Sequence, residues 1–382
     1  MASHTQRATH EQWLLEITGI PTAAGREQRV VQWVQRWVEA RKNLTLKHDP
    51  VGNLIISVRS TARSERKPLY ITAHLDHPAF VVRRLIDANT VELEFRGGVH
   101  DPYFKRAAID IIDSQEAPHR AVIKQLDANA KPFKRVQARL NSPATGIRVG
   151  DIARWAFSGR GGRPVIDKGI LHAPACDDLA AVAAALSTLD VLRRRRGLEH
   201  VAVLLTVAEE VGFIGAIGAC RAKSIPKSAR LICLENSRSY AESPIGAGPI
   251  LRVGDKTSVF APDLTNQINA VMNEHQRKNP SFKWQRRLMP GGTCEATTFS
   301  AYGYQSTCIC LPLGNYHNMA DIDGVLAGKK TAKVGPEFIS VSDYHGMIDM
   351  LITCAEHLDS TKAPSLRDRM EDIFAKFGHV IQ

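Results

Sequence analysis

Eight side chains in this sequence could bind a metal ion or move a proton, and they sit in five places. These are His74 with Asp76, Asp177 with Asp178, Glu209 with Glu210, Glu235, and His317. Each has an ordinary reading by itself. Asp177-Asp178 could start a helix, where carboxylates favour the dipole. Glu209-Glu210 could open an exposed helix, and His317 could be any loop histidine. As a set they match metal-assisted hydrolysis. Neutral imidazoles and carboxylates hold Zn²⁺ at roughly 2.0–2.2 Å. One carboxylate can bridge two ions, which lie about 3.5–4 Å apart in such sites. Such ions bring the pKa of water toward about 7, and a carboxylate that is not a ligand must then carry the proton. Two adjacent glutamates can divide ligation and base. If His74 binds metal, Asp76 suits a supporting place, hydrogen-bonded to its imidazole.

The elements that must position these groups are short apolar runs. Leu69 to Ala73 ends in His74, Val201 to Ala208 in Glu209, Leu231 to Leu234 in Glu235, and Cys308 to Leu313 is followed by His317. Runs apolar on both faces are buried strands of a parallel or mixed sheet. Helical patterns lie between them, the clearest at 178–196. The fold class is therefore α/β, with ligands bound outside the carboxyl ends of the strands. Residues 9–41 read as two helices broken at Gly19-Ile20-Pro21, and one more helix is expected at 366–377. Residues 78–166 show short alternating stretches (80–82, 90–95, 108–112, 121–123) between turn residues, which indicates a small inserted all-β domain. The expected division is a catalytic domain over 1–77 and 167–382, split by an insert at 78–166.

The 382 residues are 44% apolar and 23% charged, which excludes a disordered chain or a disulfide-stapled miniprotein. No secretory signal or membrane-spanning run is visible. The seven cysteines are odd in number and lack Cys-x-x-Cys spacing, so free thiols in the cytoplasm are expected. Cys308 and Cys310 belong on one face of a core strand. The formal charge of +11 raises nucleic acid or an acidic substrate as a partner. No aromatic-basic motif for nucleic acid accompanies it, and Arg193 to Arg196 read as a solvated helix end. No Gly-x-Ser-x-Gly elbow supports a serine hydrolase.

Several motifs make the chain resemble the co-catalytic metallo-aminopeptidases that include the tetrahedral and the glutamyl aminopeptidases. They are Asp49-Pro-Val-Gly-Asn53, Ala73-His74-Leu75-Asp76, Arg96-Gly97-Gly98-Val99, Ile147 to Asp151, Cys176-Asp177-Asp178, Glu209-Glu210-Val211-Gly212, Gly246 to Pro249, Gly291-Gly292-Thr293 and Tyr316-His317. The likeness spans about residues 9–357. It implies a three-layer zinc-peptidase sheet with a barrel-like insert and two divalent ions, zinc first and cobalt or manganese next. His74 and Glu235 would bind one ion, Glu210 and His317 the other, and Asp177 both. Glu209 would be the general base, with Asp76 in support and the Asp177–Asp178 peptide cis. The expected activity is removal of N-terminal residues from short peptides by a homo-oligomer, from dimer to dodecamer, without a membrane. The 103-residue gap between His74 and Asp177 matches the tetrahedral type. Three positions depart from the family's pattern: Glu235 stands for an Asp, His77-Pro78-Ala79 for an acid-x-Gly, and Cys294 for an Asp. Two other readings compete: an amidohydrolase for acylated amino acids or other small amides, and a basic nucleic-acid-binding or scaffold protein with a vestigial site.

Overall fold

A computed structural model describes residues 3–59, 65–157, 162–361 and 365–381. The chain opens with two helices, as the glycine-proline break predicts. Helix α1 (His4–Thr18) starts at a capping box made by Ser3 and Gln6. Helix α2 (Gln28–Glu39) buries Val30, Val34, Trp37 and Val38, an apolar stripe at helical spacing. Strands β1 (Leu44–His48), β2 (Leu54–Val58) and β3 (Leu69–His74) follow.

Six antiparallel strands come next: β4 (Ala79–Asp87), β5 (Thr90–Arg96), β6 (Ala108–Ile112), β7 (Pro118–Asp127), β8 (Lys134–Leu140) and β9 (Ile152–Trp155). They close into a barrel in the order β4-β5-β8-β7-β6-β9. Closure leaves no unpaired edge. Inward residues alternate with outward ones, and Phe80, Phe95, Phe104 and Trp155 meet in the interior at ring separations of 4.8–6.0 Å. Such edge-on aromatic packing adds to simple area burial.

The chain then passes through β10 (Val165–Asp167) and β11 (Ile170–Ala173) into α3 (Leu179–Leu192). Next are β12 (Val201–Thr206), α4 (Ile214–Ala222), β13 (Arg230–Arg238), β14 (Ile250–Gly254), α5 (Pro262–Lys278), β15 (Gln285–Leu288), α6 (Glu295–Ala301) and β16 (Gln305–Leu313). Last are β17 (Met319–Ala320), α7 (Ile322–Leu326), β18 (Lys333–Val334), β19 (Glu337–Ser340), α8 (Val341–His357) and α9 (Leu366–Phe377).

Eight strands form one mixed sheet, ordered β1-β2-β12-β3-β13-β16-β14-β15. Its middle four strands run parallel, so their carboxyl ends share one edge. Alternation sends Val203, Leu205, Ile232, Leu234, Ile309 and Leu311 into a core with α1, α3, α5 and α8. It sends Leu204, Leu231, Cys233, Cys308 and Cys310 into a second core with α4 and α6. This is the α/β class read from the sequence, with helices on both faces and a closed barrel. Helix α3 is buried along its whole length, against β3, α1 and α8. Its alanines are small enough to fit there. The helix ends earlier than the expected 196. Arg193 and Arg194 lie past its end and bind back to the buried Asp190, so the arginine run is part of the helix terminus. Among the described residues, no helix is long and apolar enough to cross a membrane.

Candidate metal centre

The carboxyl edge of the parallel strands carries the site. His74 is the last residue of β3, Glu209 and Glu210 follow β12, Glu235 lies within β13, and His317 follows β16. Asp177 immediately precedes the turn into α3, and its peptide bond to Asp178 is cis. The chain brings together all eight residues singled out from the sequence, and most are nearly inaccessible to solvent.

Asp177 is the hub. Its Oδ1 lies 3.4 Å from His74 Nε2 and its Oδ2 lies 3.3 Å from His317 Nε2. Glu235 Oε1 and Glu209 Oε2 are each 3.9 Å from His74 Nε2, and Glu210 Oε1 is 3.4 Å from His317 Nε2. Ligands 2.0–2.2 Å from a tetrahedral ion stand roughly 3.4 Å apart, so these spacings suit the edges of a coordination shell. Asp177 Oδ1 is buried and accepts no hydrogen bond among the described residues. A cation would satisfy it. Two groups that share Asp177 could each converge on one ion: His74, Asp177, Asp178 and Glu235, and Asp177, Glu210 and His317; a third group joins His74, Glu209 and Glu210. The residues therefore fit a metal pair.

Both imidazoles are oriented by carbonyl groups. His74 Nδ1 faces the Asp76 carbonyl at 3.1 Å, and His317 Nδ1 faces the Gly98 carbonyl at 2.6 Å. A carbonyl only accepts, so each Nδ1 carries a proton, and each ring in its neutral form presents the Nε2 lone pair to the site. Asp76 does more than stand beside His74. Its carboxylate is 3.6 Å from His74 Nδ1 and also accepts the Glu209 and Glu210 N–H groups, both at 3.0 Å. A tight turn leaves these amides without carbonyl partners, and the carboxylate supplies two. Asp178 does not cap α3 with its side chain. It accepts from His74 N and from Asn236 Nδ2.

Some supporting groups carry no mark in the sequence. Glu337 on β19 accepts Cys176 N and Asp177 N on one oxygen, at 2.7 and 2.9 Å, and His317 N on the other at 2.8 Å. Glu27 accepts Ala208 N at 3.0 Å. Asn53 accepts Val207 N and donates to the Gly215 carbonyl. These braces hold Ala208 at φ +52° and His317 at φ +54°, a left-handed geometry that costs about 1–3 kcal/mol per residue. His77, where the sequence departs from the pattern, hydrogen-bonds the Asp177 carbonyl and Asn318. Cys294 is buried in the core under α4 and α6.

Burial and crowding shift the charges. Burial works against a proton on His317, but Glu210 and Asp177 outweigh it and lift the ring to about 10. The same balance, led by Glu209 against burial, lifts His74 well above its ordinary value. Burial pushes Glu210 up to about 8 despite His317, and also raises Glu209 well above its ordinary value. Burial would also raise Asp177, yet His317 and His74 hold it below the usual carboxylate range. The cluster holds protons that a cation would displace. A cavity of about 330 Å³ opens over it, lined also by Gly98, Phe213, Tyr240, Arg252, Gly291 and Thr293.

Residues 52–331 match the family model for M42 glutamyl aminopeptidase. The chain belongs to that family. It is accordingly a metal-dependent aminopeptidase by class. A comparison with curated proteins finds no match. Among solved structures, several aminopeptidases align along nearly their full length. A TET aminopeptidase from a marine sediment Thaumarchaeota archaeon is 16% identical with a TM-score of 0.74, covering 92% of this chain and 98% of the other. An aminopeptidase from Desulfurococcus kamchatkensis is 18% identical at 0.71, covering 94% and 99%. The Pyrococcus horikoshii TET1 peptidase, which can assemble into a tetrahedron or a large octahedral shell, is 17% identical at 0.69, covering 91% and 99%. At these identities the structural likeness speaks for the fold, and this M42 chain shares it.

Proposed function

We propose that the protein is a two-metal aminopeptidase that removes N-terminal residues from short peptides. The observation that carries this reading is Asp177, whose two oxygens face two different imidazoles. His74, Asp177 and Glu235 would hold one ion, and Asp177, Glu210 and His317 the other. A donor set of imidazole and carboxylate suits zinc, with cobalt or manganese as substitutes. When bound, the ions would supply Lewis acidity, bringing the pKa of water toward about 7 and polarising the scissile carbonyl. Glu209 stands outside both groups that include Asp177. Its carboxylate takes the proton from the attacking water and returns it to the leaving amine. Asp76 keeps Glu209 and Glu210 aimed at the cavity by holding their amides.

Seven buried, unpaired thiols suit a reducing cytoplasm, and the assemblies of the Pyrococcus relative support a homo-oligomer. Replacing the base gives the direct test. Glu209→Gln should lower turnover of aminoacyl substrates by about 10²–10⁴-fold while bound metal stays near two per chain. Near-normal turnover would remove Glu209 from the role. Asp177→Ala should lose both ions.

A further inference from the structure

Two arginines line the cavity over the metal centre, and they stand at different depths. Arg252 is 2% exposed. Its terminal nitrogens turn to Ser237 Oγ at 3.0 Å and to the Met289 and Gly292 carbonyls at 3.4 Å. Arg238 ends β13, and its side chain is 24% exposed. Arg252 therefore belongs to the wall and Arg238 to the mouth. A peptide that enters by its N-terminus puts its first residue at the ions. Everything after the scissile bond leads back toward solvent, past the mouth.

Arg238 rests against Asp323 of α7 in an ion pair. The Asp323 side chain is 82% exposed, so water screens the pair and it holds weakly. Another carboxylate can take the place of Asp323 at little cost. Tyr240 keeps the guanidinium beside the cavity while partners exchange. Its ring centre lies 5.1 Å from the guanidinium carbon, a cation–π contact. The phenol is seated against Gly291, where a Cβ would overlap its hydroxyl. Reach then selects the group that fits. Glu235 and Arg238 lie on one strand, three steps of about 3.3 Å apart, or about 10 Å. One peptide residue spans at most about 3.6 Å. The first or second residue after the scissile bond thus comes alongside the long arginine side chain.

We propose that Arg238 binds a substrate carboxylate on the far side of the scissile bond, above all the C-terminal carboxylate of a di- or tripeptide. This rests on the aminopeptidase reading given above. The planar guanidinium fork matches a carboxylate in two hydrogen bonds. The test uses the full chain with zinc added and substrates that share one N-terminal residue. They are a dipeptide, its C-terminal amide, the amide with Asp in second place, and the aminoacyl p-nitroanilide, which has no carboxylate. Wild type should favour the dipeptide over its amide by about 10–100-fold in kcat/KM, the effect of hydrogen bonds to a charged group, expressed in KM. Arg238→Gln should lose that preference and Arg238→Lys should keep part of it. Metal content and a thermal melt check that each variant is folded. Asp323→Asn frees Arg238 from its resting partner, so KM should fall for the dipeptide and not for its amide. An ion pair that only braced the fold would not give that result. A dipeptide whose scissile carbonyl is reduced to a methylene cannot be cut. By calorimetry its free acid should bind more tightly than its carboxamide to wild type, and equally to Arg238→Gln. Faster cleavage of the Asp amide than of the plain amide would show that a side-chain carboxylate is read as well as a terminal one, and no gain would show that the terminal one alone is read; any gain must vanish in Arg238→Gln. Equal use of dipeptide and amide by wild type, or a preference that survives in Arg238→Gln, would overturn the inference, while turnover of the nitroanilide kept the aminopeptidase reading intact. No turnover of any of these substrates would overturn both.

Discussion

At the scale of single residues, the site depends on carboxylates that do not face the cavity as much as on those that do. Glu337 uses both oxygens to tie Asp177 to His317. Glu337→Gln keeps the shape but leaves one oxygen to serve three amides. It should lower affinity for the second ion by about 10–100-fold, measured by chelator competition on the metal-free protein. Unchanged affinity would make Glu337 a packing residue only. Proton linkage gives a second expectation. His317 near 10 and Glu210 near 8 must shed protons to bind a cation. Metal uptake should therefore release protons, and apparent affinity should rise from pH 6 to 8. Glu27 gives a third. Burial first, and Asp76 second, raise it from 4.5 to about 7. The folded state then keeps a proton that the unfolded chain releases. This contribution is fully present below pH 4.5, falls as pH rises, and is gone above 7. Glu27→Gln cannot ionise and still accepts from Ala208 N. In the metal-free protein it should exceed wild-type stability at pH 8 by up to roughly 3 kcal/mol, at about 1.36 kcal/mol per pKa unit. Denaturant titration should show the gap closing toward pH 4.5. The site residues were legible because each ends or follows an apolar strand, where a bare charge is costly. Glu337 was not, since its partners are backbone amides 20 and 160 residues away.

At the scale of elements, legibility followed periodicity. The buried strands β3, β12, β13 and β16 and the helices α2 and α9 stood out by pattern. In the insert, four strands were readable and two were not. Strand β8 points Val136, Ala138 and Leu140 inward, but Lys134, Arg135, Gln137 and Arg139 mask the alternation. Strand β9 is only four residues long. The Asp49-Pro-Val-Gly-Asn53 turn gains a purpose in the folded chain, because Asn53 braces the segment that leads to Glu209. Gly215 closes the same brace. A Cβ there would stand 2.4 Å from the Val207 carbonyl oxygen and 2.6 Å from Asn53 Oδ1. Gly215→Ala must therefore displace the turn. Overpacking of this kind costs about 1–3 kcal/mol, and turnover should fall with it. A thermal melt and a kinetic assay check the two parts, and a variant as stable and active as wild type would show that the turn can yield.

At the scale of the whole molecule, the charge is uneven. Residues 79–166 hold 15 basic and 9 acidic side chains, over half of the net +11. If the insert steers acidic peptides, kcat/KM for them should fall as salt rises from 0.01 to 1 M, over which the Debye length shrinks from about 30 to 3 Å. Neutral peptides should respond less, and equal responses would end the steering idea. The barrel also reaches the chemistry itself. Its Gly98 carbonyl orients His317, and Met319, Ile322 and Val325, from the far half of the chain, pack in its core. The insert is thus no exchangeable ornament in evolution. A newly made chain whose barrel has yet to dock lacks the partner that aims its last ligand, so the capacity to cut peptides would arise only when folding is complete.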